Sequence, residues 1–237
     1  MTQIENKINQ LESTINPGPF VLSSLLTSYP DADFQKSVSE LLEDESISLP
    51  NELRNRLQQL TADPASVDDL RSDYISIFDQ AKSLNPLYET EYGRERAMFK
   101  ANELSDIAGF YKAFGFEMNQ DGDRDMVDHI SVELEFYSLL QMKHLYLQEM
   151  NDLNGCDVVH DGMKKFMDSH LGRFIPAILE RDGVKSSDIY HRIFKWIDEI
   201  VVAECARIGV SPEMAKWFSS QTEGENMCCG GTVAINK

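Results

Sequence analysis

Apolar residues along this chain recur mostly every three or four positions, the period of an α-helix. Ile189, Ile193, Ile197, Ile200, Val201 and Ile208 draw one such stripe. Val127, Ile130, Leu134 and Tyr137 draw another, and from there to about residue 150 the chain reads as apolar on every side. A helix of that kind is expected to be buried among others. Alternating, strand-like runs bounded by turns are scarce. The pattern predicts an all-α fold, a single-domain helical bundle.

Turn and cap residues divide the pattern into elements. Pro17-Gly18-Pro19 precedes a short helix that stops at Tyr29-Pro30, and Asp31 is expected to cap the next. Pro50 and Asn51 start a third, which Asp63-Pro64 breaks. Ser66 is expected to cap a helix running to about Ala81. Asn85-Pro86 opens a loop to Gly93, and a long helix follows from about Arg94 to Gly115. Asn119 to Asp123 is a polar linker, and the next helix is expected from about Arg124 to Met150. Asn151 to Gly155 reads as a turn, followed by helices from about Asp157 to Glu180 and from Ser186 to Ile208, with Pro212 opening a last turn. The expected domain is 1–219, with 220–237 a disordered tail. No repeat or low-complexity tract interrupts it.

Composition narrows the function classes. A chain of 237 residues buries about 70 % of its unfolded surface and needs no staples. Its 40 acidic against 22 basic residues give a net charge of −18. Such a surface repels phosphate backbones, which excludes nucleic acid as an expected partner, and attracts cations and basic peptides. The first twenty residues lack a basic segment followed by an apolar run, so no signal peptide is expected. No stretch reaches about 20 apolar residues, so none is expected to enter a membrane. Cys156 and Cys205 are isolated, Cys228 and Cys229 are vicinal, and no Cys-x-x-Cys pair exists. This usage fits free thiols in a reducing, cytoplasmic setting.

The densest chemistry lies at Asp128-His129-Ile130-Ser131-Val132-Glu133-Leu134-Glu135-Phe136. Asp125, His129 and Glu133 are spaced at four residues, which on a helix aligns them on one face. A carboxylate-oriented histidine suits a general base, but no Gly-x-Ser-x-Gly elbow supplies a nucleophile. Asp128 capping the helix while His129 bonds locally is the structural reading; recognition of a partner is the third.

Metal chemistry has weaker support. Glu-x-x-His pairs and His-Glu-x-x-His are absent. His160-Asp161 is the type of pair found in metal-dependent phosphohydrolases, with His129, His144 and His170 as conceivable partners. Two vicinal thiols, Cys228 and Cys229, make an incomplete metal site. Phosphate-binding glycine loops are missing. Tyr74, Phe78, Tyr88 and Tyr92, with Glu89 and Glu91 between them, suit an amphipathic basic peptide: ring faces for aliphatic or guanidinium groups, carboxylates for charge.

Four segments carry a family resemblance. They are Leu70-Arg71-Ser72-Asp73-Tyr74-Ile75-Ser76-Ile77-Phe78, Pro86-Leu87-Tyr88-Glu89-Thr90-Glu91-Tyr92, Asp128-His129 through Leu139, and His170-Leu171-Gly172-Arg173-Phe174-Ile175-Pro176. In order and spacing they resemble the TorD/DmsD/NarJ redox-enzyme maturation proteins, cytoplasmic chaperones of molybdenum enzymes. The resemblance implies an all-α chaperone without catalysis or a cofactor of its own. It implies a partner too: the apo catalytic subunit of a molybdenum oxidoreductase, held by its N-terminal or twin-arginine segment until molybdopterin is inserted. The peptide-binding residues so implied are Tyr74, Ile77, Phe78, Pro86, Tyr88, Glu89, Tyr92, Asp128 and His129. Glu89 and Asp128 would attract basic residues, and His129 would orient Asp128. The oligomeric state is left as monomer or homodimer. Val127 stands where the family has proline, Phe174 where it has tryptophan, and Asp79-Gln80 where Gly-Pro-like residues are common. The Tyr-Glu-Thr-Glu-Tyr-Gly loop is similar to that of chaperones for the nitrate reductase and dimethylsulfide or ethylbenzene dehydrogenase group. A phosphohydrolase and a purely structural partner subunit stand as the alternatives.

Overall fold

The computed structural model describes residues 15–92, 96–116 and 126–215, with backbone alone for 96–99. The expected linker 119–123, Arg124, Asp125, and the tail 220–237 with Cys228 and Cys229 lie outside the described residues. The architecture is all-α. It comprises α1 (Gly18–Thr27), α2 (Phe34–Leu42), α3 (Asn51–Ala62), α4 (Pro64–Tyr74), α5 (Arg96–Ala113), α6 (Ile130–Glu149), α7 (Leu153–Phe166), α8 (Gly172–Leu179), α9 (Asp182–Ser186) and α10 (Asp188–Ile208). Among the described residues the one β-type contact is an isolated antiparallel bridge between Tyr88 and His129.

Helix α6 is the axis. Helix α1 packs along one side of it and α7 along another. Phe20 of α1 meets Tyr137 at 4.8 Å between ring centroids, and Phe136 meets Phe166 of α7 at 4.9 Å. Helix α10 closes the bundle against α8, α1 and α3, with its Ile189–Ile193–Ile197–Val201–Ile208 stripe buried as the spacing predicts. Inside, Glu204 accepts hydrogen bonds from the Tyr137 hydroxyl (2.6 Å), Gln141 (3.1 Å) and both Arg207 nitrogens (2.6 and 2.7 Å). A buried carboxylate is tolerated because its lone pairs are filled.

Several boundaries differ from the sequence reading. Asp63, not Ser66, caps α4: its side chain accepts from Ala65 N with Pro64 at the first helical position. Asp31 accepts from the Asp33 backbone N–H, so the chain turns there and α2 starts at Phe34. The helix expected to reach Ala81 is α-helical only to Tyr74 and passes into a π-helical turn, Ile75–Gln80. The span expected as one helix from Asp157 to Glu180 begins at Leu153, where Asp152 caps it through Gly155 N. A second π-helical turn, Met167–Leu171, then divides it from α8, whose Pro176 lacks the amide a helix interior would use. Pro212 opens no helical turn, since 210–215 is irregular and Pro212 sits against Gly172.

Two corrections concern α6. It starts at Ile130, after a turn at 127–128, so His129 precedes the helix and does not share a helical face with Glu133. Nor is it buried all round: Glu135, Leu139, Met142, Tyr146 and Met150 form an exposed edge.

Candidate peptide-binding site

The site is assembled where α4, the 85–92 loop and the start of α6 meet. Arg71 pins α4 to the end of the first helical hairpin, donating to Pro30 O (2.6 Å) and Asp31 O (2.8 Å). Tyr74 then stands edge-on to Tyr29 (5.6 Å) and Phe78 (5.2 Å), and Phe78 edge-on to Tyr190 of α10 (4.9 Å). In the π-helical turn, Phe78 points inward while Asp79 is exposed. Asn85 closes the turn, donating to Ile77 O (3.1 Å) and accepting from Gly183 N (2.9 Å).

The loop crosses the mouth of α6 like a short strand. Ile130 N donates to Leu87 O (2.9 Å) and Glu89 N to Asp128 O (2.8 Å). The Tyr88 and His129 rings meet edge-on at 5.0 Å. A 3₁₀ turn at Glu89–Glu91 folds the chain back, and the Tyr92 hydroxyl donates to Pro86 O at 2.6 Å, fastening the loop to itself.

The titratable groups divide by surroundings. His129 is the N-cap of α6: Nδ1 accepts from Ser131 N (3.3 Å) and lies 2.7 Å from the Ser131 hydroxyl. Burial, with the Lys82 charge and against the Asp128 charge, pushes its pKa down to about 3. It is therefore a neutral imidazole at physiological pH, too weak a base for proton abstraction. Asp128 is buried and held by the Thr90 hydroxyl, while its other oxygen has no hydrogen-bond partner among the described residues. Thus His129, not Asp128, caps the helix, and Asp128 secures the loop. Glu89 is buried against His170 Nδ1 at 3.1 Å, and His170 Nε2 faces Asp106 at 3.2 Å. Glu133 is fully buried, and burial and then the Glu89 charge raise its pKa well above the carboxylate range.

The structure gathers four of the nine residues singled out from the sequence around one cleft. Tyr74, Phe78, Tyr88 and His129 line about 120 Å³ together with Tyr29, Leu87, Asp79 and Lys82. Lys82 Nζ stands 4.3 Å above the Tyr88 ring centre. Pro86, Glu89, Tyr92 and Asp128 are inside the fold and shape the loop from behind. Ile77 lines a different groove, of about 330 Å³, with Arg56, Asp73 and Asp188. The carboxylate at the rim of the cleft is that of Asp79, because those of Glu89 and Asp128 are turned inward. Sequence reasoning missed Tyr29, Asp79 and Lys82. Tyr29 had a signal, an aromatic directly before a helix-stopping proline, and was read only as a stop.

The histidines do not assemble a metal centre. The His144 and His160 rings approach to 6.1 Å, whereas His129 caps α6 and His170 pairs with Glu89. Among the described residues no three His, Cys, Asp or Glu side chains converge to hold a metal ion. Cys156 and Cys205 are free and buried. No described helix is long and apolar enough to cross a membrane.

The chain has no match among curated proteins. It does match the family described as nitrate reductase delta subunit over residues 44–180, more than half its length, a span that holds all four segments and the loop, π-helical turn and α6 mouth built from them. The chain belongs to the nitrate reductase delta subunit family, the NarJ/TorD-type chaperones that act on the catalytic subunits of molybdoenzymes during maturation.

Proposed function

We propose that this protein is a cytoplasmic chaperone that binds the N-terminal or twin-arginine segment of an apo molybdopterin oxidoreductase subunit and holds it while the cofactor is inserted. The client is expected to be of the nitrate reductase or dimethylsulfide/ethylbenzene dehydrogenase type. The observation that carries this reading is the aromatic cleft. Tyr29, Tyr74 and Tyr88 line it with aromatic surface suited to the aliphatic side chains of the segment's apolar run. Asp79 sits at the rim. The net charge of −18 draws a basic segment in and raises its association rate more than its affinity. An extended peptide pays an ordering cost on binding, so the affinity stays moderate and the client is released. Asp128, Glu89 and Tyr92 act here through the loop they hold, and His129 through its packing against Tyr88.

The test is fluorescence anisotropy with a labelled peptide carrying paired arginines followed by an apolar run. Tyr88→Ala is expected to weaken binding about tenfold, one buried aromatic contact, with helicity unchanged. Affinity is expected to fall between low and high salt as the surface charge is screened. Unchanged affinity for both Tyr88→Ala and Tyr29→Ala would remove the cleft from the binding site.

A further inference from the structure

Of the eight side chains that line the aromatic cleft, two carry charge at neutral pH, Asp79 and Lys82. His129, the remaining candidate for a charge, is neutral there, because burial, helped by the Lys82 charge, holds its pKa at about 3. The two charges are placed differently. Asp79 is exposed in the π-helical turn. Lys82 follows three residues later, and its Nζ stands 4.3 Å from the centre of the Tyr88 ring.

That seat decides what the cleft accepts. An ammonium over a ring face is attracted by the negative face of the π system, so Lys82 has a favourable place there. A second cation brought to the same ring finds this place taken. It also meets a like charge at close range, beside protein groups that screen it less than bulk water does. An aliphatic side chain meets neither obstacle and gains apolar contact with Tyr29, Tyr74 and Leu87. A basic residue, in contrast, meets the carboxylate of Asp79 without entering the cleft.

We infer that Lys82 is a specificity-determining residue of the cleft: its ammonium, seated on Tyr88, bars arginine and lysine side chains from it. The cleft therefore takes an uncharged, apolar stretch of the bound segment, and the flanking basic residues stay outside, at Asp79. The inference rests on the peptide-binding reading above and adds to it the register in which the segment lies.

Two peptides of the same composition separate this local effect from long-range attraction. Both carry two arginines and one apolar run. In the first the arginines precede the run; in the second, one of them stands in its middle. The net charge of −18 attracts both alike. In fluorescence anisotropy the unaltered protein is expected to bind the first at least about tenfold more tightly, since like charges brought together suppress the wrong partner. Lys82→Met has a side chain of similar length without the charge, and is expected to bring that ratio down to about threefold or less. Lys82→Arg, which keeps the charge, is expected to hold the ratio. A ratio in Lys82→Met as large as in the unaltered protein would overturn the inference, whatever happens to either affinity alone. Failure of the unaltered protein to bind the first peptide would remove the peptide-binding reading itself, and the inference with it.

A measurement without peptide tests the seat alone. With isotope-labelled lysines, the NMR signal of the Lys82 ε-methylene, assigned by its loss in Lys82→Met, is expected upfield of the other lysines through the ring current of Tyr88. In Tyr88→Leu it is expected to return to their position. A Lys82 signal at the ordinary lysine position in the unaltered protein would overturn the inference and leave the peptide-binding reading standing.

Discussion

Glu89 lies 3.1 Å from His170 Nδ1 within the protein, a contact between residues 81 apart in sequence that ties the 86–92 loop to the π-helical turn after α7. His170 keeps the Glu89 carboxyl in place beside Asp128 and the protonated Glu133. The His170 segment and the loop motif thus meet as one piece of structure.

His170→Ala removes that partner and leaves a buried carboxyl uncompensated. Leaving a buried carboxyl without its hydrogen-bond partner costs about 1–3 kcal/mol. Urea unfolding at neutral pH is expected to show a loss of this size, and the loop to exchange its amides faster. His170 does not line the cleft, so weaker peptide binding in this variant would report the shape of the loop. A loss below about 1 kcal/mol, the worth of an exposed pair, would show that Glu89 is held by other means.

His129 gives the protein a defined acid limb. Its folded pKa, about 3, lies below the ordinary histidine value of 6.5. The unfolded chain therefore binds the extra proton between pH 6.5 and 3, and stability falls as pH falls through that window. The group's contribution is fully present above pH 6.5. At pH 5 the loss from this residue alone is about 2 kcal/mol. His129→Asn keeps a capping side chain and removes the titration. Its stability, measured by urea unfolding at pH 7 and pH 5, is expected to change less between the two pH values than that of the unaltered chain. Equal changes would mean that His129 is not the group responsible.

Much of this was legible in the sequence, and the remainder has a local cause. The period of apolar residues identified the helices because burial of one face dominates their stability. The π-helical turns at Ile75–Gln80 and Met167–Leu171 were invisible, because one extra residue per turn leaves the composition unchanged and only rotates the residues after it. Within the first of these turns Phe78 lines the cleft and Ile77 a different groove. The aromatic members Tyr74, Phe78 and Tyr88 were readable as a group. The inward turn of Glu89 and Asp128 was not, since it depends on Thr90 and His170, residues whose part in the loop no spacing announces.

Glu133 responds to pH in the opposite sense to His129. Burial, and then the Glu89 charge, place its folded pKa well above the unfolded value of 4.5. The native state therefore keeps a proton that the unfolded chain loses, and the stability this confers is present below about pH 4.5 and lost as pH rises through the folded pKa. Glu133→Gln has the same shape and no charge to suppress. It is expected to lose less stability than the unaltered chain on going from pH 5 to pH 8, read from thermal midpoints at both. A Glu133→Gln variant that is less stable at pH 8 would show that the ionised form is favoured in the fold.

The Glu204–Arg207 pair sets a contrasting case on the far side of α6. Burial of Glu204 opposes ionisation, but the Arg207 and Tyr137 hydrogen bonds and the Arg207 charge outweigh it and lower its pKa. Its contribution is therefore present above pH 4.5 and lost as pH falls through the folded value. Glu204→Ala strips the Tyr137 hydroxyl, Gln141 and Arg207 of their shared acceptor, and is expected to cost about 3–5 kcal/mol. The double variant Glu204→Leu, Arg207→Met replaces the pair by apolar side chains and leaves no guanidinium without a counter-charge. It is expected to recover most of that loss, because well-packed apolar groups often match a buried ion pair. Urea midpoints of both variants decide it: a double variant no more stable than Glu204→Ala would mean that the hydrogen bonds to Tyr137 and Gln141, and not the charge pair, hold α10 to α6.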